Sequence, residues 1–153
     1  MEIERAEILP HFNLLQGGRD VIQSLLKAGY PALFIESSEP HRTESLLPCD
    51  GPWKFHSWDC IRGIRQTATL KIVEEALTPV DGLLWLNNQR DCVLIAHNLH
   101  LFLDDPGVIQ TISNAIPQWK ALGNCLVAIG PRTILKPEIE PFFNVLTQPL
   151  PEE

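Results

Sequence analysis

The residues best placed to do chemistry follow short apolar runs. "PALFIES" leads into Ser37, Ser38, Glu39 and Arg42, and "WKFHSWD" into Asp59, Arg62 and Gly63. "CVLIAHNL" brings His97, Asn98 and His100, then Asp104 and Asp105, while "NCLVAIGP" closes on Gly130, Pro131 and Arg132. Hydroxyls, arginines and carboxylates after buried strands are the groups that hold phosphate and magnesium, so nucleotide chemistry is the first to test. A phosphate-binding loop needs G-x-x-x-x-G-K-[ST]. Its glycines let backbone N–H groups wrap the phosphates, and its lysine reaches the β and γ phosphates. The turn at 36–42 is Glu-Ser-Ser-Glu-Pro-His-Arg, with neither glycine nor lysine. Glu36 and Glu39 would repel a triphosphate. At the end of the third run an aspartate should hold the Mg²⁺ shell, and Asn98 stands there. The paired glycines of "LLQGGRD" (14–20) precede a helix, where a turn and helix start explain them better than an anion site.

Other chemistries are weaker. His97 and His100, with His41 or His56 as a third ligand, are weak candidates for a metal. Polar residues at a strand end explain them as well, so no metal and no cofactor is expected. Cys92 falls inside an apolar run, where a thiol is inert, and no serine occupies a G-x-S-x-G elbow. The four cysteines, Cys49, Cys60, Cys92 and Cys125, form no CxxC pair and have wide, irregular gaps. They read as free residues in a reducing compartment, with Cys92 and Cys125 in the core.

These groups must be held by regular elements. "RDVIQSLLKAG" (19–29) has helical spacing at Val21, Ile22, Leu25 and Leu26. "PALFIES" is a buried strand, followed by a short helix near 41–47 and a turn at "LPCDGP". "WKFHSWD" alternates, with Trp53, Phe55 and Ser57 on one face, and predicts a strand. Leu70, Val73 and Leu77 predict a helix over 67–77, with a short helical turn in "VDGLLWLNNQ". "CVLIAHNL" and "NCLVAIGP" predict buried strands on either side of a long helix over 104–123. Asp105 caps that helix, Pro106 opens it, and Pro117 is expected to bend or break it. "PEIEPFF" predicts a helical turn and "NVLTQPLP" a last strand. Alternation of this kind predicts an α/β three-layer sandwich around a mostly parallel five-stranded sheet. In such a sheet, ligands bind at the carboxyl ends of the strands, where the groups above collect.

The 153 residues predict one domain, 1–153, with a lead-in over 1–18 and a core over 19–151. A net charge of −7 argues against a nucleic-acid partner, and the densest basic stretch is only "RGIR" (62–65). The acidic start "MEIERAEILP" does not read as a signal peptide. The apolar runs are too short to cross a membrane, so a cytoplasmic protein is expected.

In order and spacing, these stretches resemble AAA-type ATPases, specifically the degenerate N-terminal core of an uncharacterised group encoded in cyanobacteria and plastid genomes. "AGYPALFIESSEPHRTESLL" is similar to that group's first strand and T-x-E-E-x-R turn, with Ser37, Glu39 and Arg42 at the matching places. "FHSWDCIRGI" resembles its W-s-x-x-x-G stretch through Trp58 and Gly63. "VLIAHNLHLFLDDPGVIQTI" resembles V-L-K-D-x-H-x-x-L-x-D through His100 and Leu103. The ending is similar through Pro131, Pro137, Glu138 and Pro149-Leu150-Pro151. Asn98 replaces the group's aspartate, and Gln110 replaces an arginine.

The resemblance implies a P-loop NTPase/AAA-like core, here without a helical lid or a second, catalytic core. Its degenerate nucleotide-site equivalents would be Ser37, Ser38, Glu39, Arg42, Asn98 and His100. It implies a catalytically inactive module that binds a protein partner or its own copies, another AAA domain among them, with Arg62, Arg65 and Arg132 as interface arginines. Two alternatives stand beside it. One is an ATPase fragment or subunit that completes a P-loop partner's site. The other is a small α/β protein that binds a metal or an anion.

Overall fold

The computed structural model describes residues 18–147. The lead-in, the start of "LLQGGRD" and the closing Pro149-Leu150-Pro151 lie outside the described residues. Helix α1 (Gly18–Lys27) buries Ile22, Leu25 and Leu26 and ends with Gly29 and Tyr30 bonding back to Leu26 and Leu25. This wrap-around satisfies the last carbonyls of the helix. Strand β1 (Ala32–Glu36), helix α2 (Pro40–Leu46) and strand β2 (Lys54–Asp59) follow. After them come β3 (Gly63–Gln66), β4 (Ile72–Glu74), α3 (Pro79–Leu86), β5 (Cys92–His97), α4 (Pro106–Leu122), β6 (Cys125–Gly130) and β7 (Asn144–Thr147).

Among the described residues the sheet has seven strands in the order β4-β3-β2-β5-β6-β1-β7. The five expected strands are its parallel ones, β2, β5, β6, β1 and β7. The other two, β3 and β4, extend the β2 edge as an antiparallel ribbon. This ribbon corrects the five-strand count and replaces the helix expected over 67–77. Leu70, Val73 and Leu77 have helical spacing but are all exposed, so no buried face rewards a helix. Leu70 instead takes φ +64°, and the Gln66 N–H closes the turn on the Lys71 carbonyl at 2.8 Å. The β-branched pair Ile72 and Val73 then suits extended backbone.

The crossover to β5 is made by α3, capped by Thr78, whose hydroxyl accepts from the Asp81 N–H at 3.1 Å. Helix α4 starts as expected: the Asp105 carboxylate accepts from the Gly107 N–H at 2.7 Å, and Pro106 takes the first helical position. Pro117 lies within α4 and does not break it. Its ring is exposed, while Ala115, Ile116 and Trp119 hold the helix to the sheet.

Side-chain alternation along the strands divides the core into two layers. On one face Leu33, Ile35, Val93, Ile95, Val127 and Ile129 meet Ile22, Leu25 and Leu26 of α1 and Leu47 after α2. On the other, Phe34, Leu94, Ala96 and Ala128 meet Leu83 and Leu86 of α3 and Ile112 and Trp119 of α4. The three-layer sandwich is as expected. It brings the carboxyl ends of β1, β2, β5 and β6 to one rim.

Candidate functional site

At that rim, only Ser37, Ser38 and Glu39 separate β1 from α2. A phosphate cradle needs several backbone N–H groups converging on one point. Here two of the turn's donors are already spent. The Ser37 N–H donates to the Gly130 carbonyl at 2.8 Å, and the Glu39 N–H donates to Ser37 Oγ at 3.0 Å. Ser37 Oγ lies 2.7 Å from Thr43 Oγ1, a buried hydroxyl pair that ties the turn to its helix. Pro40 has no N–H at all. Ser38 is exposed, and Arg42 is exposed and bonded to Glu39 at 3.3 Å.

Behind the turn lies a charged cluster. Glu44 of α2 is only 7% exposed. Its Oε1 lies 2.6 Å from His97 Nε2 at the end of β5, and its Oε2 accepts from the Ser57 hydroxyl on β2. Ser57 Oγ in turn contacts Thr67 Oγ1 at 2.9 Å. Arg65 of β3 places Nη2 3.9 Å from Glu44 Oε1 and Nη1 3.1 Å from Asp59 Oδ2, while its Nε is buried without a partner. Burial pushes the Glu44 carboxyl upward, but hydrogen bonds from His97 and Ser57 and the charges of His97 and Arg65 outweigh it. The group is held below its ordinary value. Asp59 is also held low: burial opposes ionisation, and hydrogen bonds from Arg62 and the Ile61 N–H overcome it. The His41 ring covers His97, with centroids 5.6 Å apart.

The site residues expected from sequence are only partly brought together. Ser37, Ser38, Glu39, Arg42 and His97 gather at the turn. Asn98 is exposed and takes φ +60° at the start of a 3-10 turn over Leu99–Phe102. His100 departs to the other face. Its ring lies on Gly130, where a Cβ would come within 2.6 Å of Nδ1, and burial lowers its pKa. His97 and His100 therefore do not converge, and His56 packs on Trp85 instead. Among the described residues no group of three or more His, Cys, Asp or Glu side chains could hold a metal ion.

Of the arginines expected at an interface, Arg65 is enclosed, its side chain 3% exposed and engaged with Asp59. A neighbour cannot reach it. Arg62 is exposed but tied to Asp59 at 2.8 Å. Arg132 is exposed beyond β6 and makes no ion pair among the described residues. Cys60, Cys92 and Cys125 are free thiols. Cys92 lies 3.5 Å from His56 Nδ1, but burial pushes its thiol up to about 12, so the pair supplies no thiolate near neutral pH.

The family model described as SpoVK-like AAA ATPase, N-terminal domain, matches residues 19–147. The chain belongs to this family. Comparison with curated proteins finds no match. The SpoVK-like AAA match runs from α1 to the end of β7, so the whole described sheet lies within an AAA-type N-terminal core.

In this SpoVK-like domain, Trp58 and Gly63 have a structural task. The Trp58 indole N–H donates to the Ala76 carbonyl at 2.7 Å and fixes the chain after β4. Gly63 takes φ +79°, and a Cβ there would meet the Glu74 carbonyl oxygen at 2.6 Å. Sequence reading misses Glu44 and Ser57 as site residues. The available signal is the spacing of Thr43 and Glu44 with Leu47 just after α2, all three buried on the side that faces the sheet. A carboxylate on such a face needs a buried partner.

Proposed function

We propose that this SpoVK-like AAA N-terminal domain binds no nucleotide and acts as a protein-interaction or assembly module in the cytoplasm. The observation that carries the reading is the Glu44–His97 pair behind a three-residue turn that has neither glycine nor lysine and has already spent its Ser37 and Glu39 N–H groups. A triphosphate brought to this rim would meet Glu39 and Glu44 without a lysine or a glycine-lined cradle. A protein surface makes no such demand, and the rigid sheet presents it without ordering cost. The test is equilibrium binding of labelled ATP and ADP, with and without Mg²⁺, to the purified chain. No binding tighter than the millimolar range is expected, and a micromolar complex with Mg²⁺-dependent turnover would overturn the reading.

One observation favours a second reading, in which the domain completes the nucleotide site of a P-loop partner. Arg132 is exposed at the rim and makes no ion pair among the described residues, so it can reach a neighbour's phosphates in the arginine-finger role. Under that reading, adding the chain to such a partner raises hydrolysis, and Arg132→Ala abolishes the increase. Unchanged hydrolysis removes it.

A further inference from the structure

The far edge of the sheet offers a feature that the rim does not explain. β4 is the last strand, and no strand among the described residues pairs with its outer side. An open edge presents unpaired N–H and C=O groups, which proteins blunt with brevity, charge or a cover. β4 is short, pairs with β3 through a register shift and carries Glu74, yet the two residues before that charge are apolar and exposed. Ile72 is 42% exposed and Val73 38%, and Leu84 of α3, in the groove with Glu74, is 45% exposed. Blunting an edge needs no such apolar exposure. Between the β4 end and α3 lies an open groove of about 330 Å³, lined by Glu74, Glu75, Asp81 and Leu84 among others. None of those three carboxylates is ion-paired among the described residues. The edge is also held in place, by the Trp58 bond to Ala76 and the close approach at Gly63. A ligand would therefore meet a preformed strand.

We propose that the β4 edge and its groove bind an extended segment of a partner protein that alternates basic and apolar residues, added as a further strand. Main-chain bonds to β4 supply affinity, and alternate side chains supply specificity. Lys or Arg side chains on one face meet Glu74, Glu75 and Asp81 and lay their stems on Leu84, and the apolar side chains on the other cover Ile72 and Val73. A second copy of this chain is a poor occupant, because it carries a net charge of −7 and its own β4 would set glutamate against glutamate. The inference rests on the reading of the domain as an interaction module and names the class of its partner.

The test uses the full chain and a fluorescent peptide of alternating Lys and Val. Its controls are the same peptide N-methylated at alternate backbone positions and a Glu/Val peptide. By anisotropy, the Lys/Val peptide is expected to bind with a Kd on the order of micromolar, and both controls about tenfold or more weaker. Glu74→Lys with Asp81→Lys, and separately Val73→Pro, should each weaken the Lys/Val peptide roughly tenfold. Leu84→Ser, an exposed change outside the strand, should weaken it several-fold and covers the case in which Val73→Pro loosens β4. Amide exchange at 72–74 should slow in the complex.

Equal binding of the N-methylated peptide would reduce the contact to charge and overturn the inference. So would indifference to the charge reversals, or self-association of the chain through β4. A bound nucleotide would overturn the interaction-module reading whatever the peptide does. A failed peptide with no nucleotide bound would overturn the inference alone.

Discussion

A carboxylate as enclosed as Glu44 survives ionised only if the surrounding groups repay its lost hydration. His97, Ser57 and Arg65 do so, and the cluster ties α2 to β5, β2 and β3. Glu44→Ala leaves a buried guanidinium and imidazole short of a partner, and is expected to cost about 3 kcal/mol or more in urea unfolding. Glu44→Gln keeps the shape and part of the bonding, so it should cost less. The pH dependence follows from the sign of the shift. The folded carboxyl sits below its ordinary value of 4.5, so the stability it contributes is fully present above that pH. It is lost as pH falls from there through the lowered folded value. Unfolding free energies measured from neutral pH down to acid should therefore fall below about pH 4.5, and Glu44→Gln should flatten part of the fall. An unchanged slope in the variant would show that Glu44 is not held low.

At the scale of elements, two local choices can be tested. Gly63→Ala places a Cβ against the Glu74 carbonyl in left-handed backbone, so the β4 ribbon should detach at a cost of roughly 1–3 kcal/mol. Faster amide exchange at 72–74 would report it. Pro117 sits inside α4 with its ring in solvent, and an interior proline costs up to ~3 kcal/mol relative to alanine. Pro117→Ala should therefore raise the thermal midpoint; a lower midpoint would mean that the ring itself packs.

The same elements show what sequence can carry. "CVLIAH" is buried at every position, and runs of this kind announce β1, β5 and β6 directly, while β2 is read from its alternation. "GIRQ" does not, because Arg65 at its centre is buried only by virtue of Asp59 and Glu44, brought in from other elements. Helical spacing at Leu70, Val73 and Leu77 misleads for a related reason: periodicity shows a pattern without showing whether the pattern is buried. The missing glycines and lysine of the turn are plain in the sequence. The pairing of Glu44 with His97 depends on tertiary contact and is not.

For the whole molecule, the proposed reading makes surfaces, rather than a nucleotide pocket, the means by which this AAA-type core acts. The rim carries Arg132 at one end, the β4 edge lies at the other side of the sheet, and the two layers of core between them hold both in fixed relation. Among the described residues no helix is long and apolar enough to cross a membrane. Both surfaces belong to a domain for which the proposed central property is that it binds no nucleotide. That property is tested most directly by following backbone amide NMR signals of the full chain during titration with Mg²⁺-ATP. The account predicts no saturable shift at residues 36–44 or 97–100 up to several millimolar nucleotide. Saturable shifts there at micromolar concentration would show that the turn opens to hold phosphates, and would contradict it.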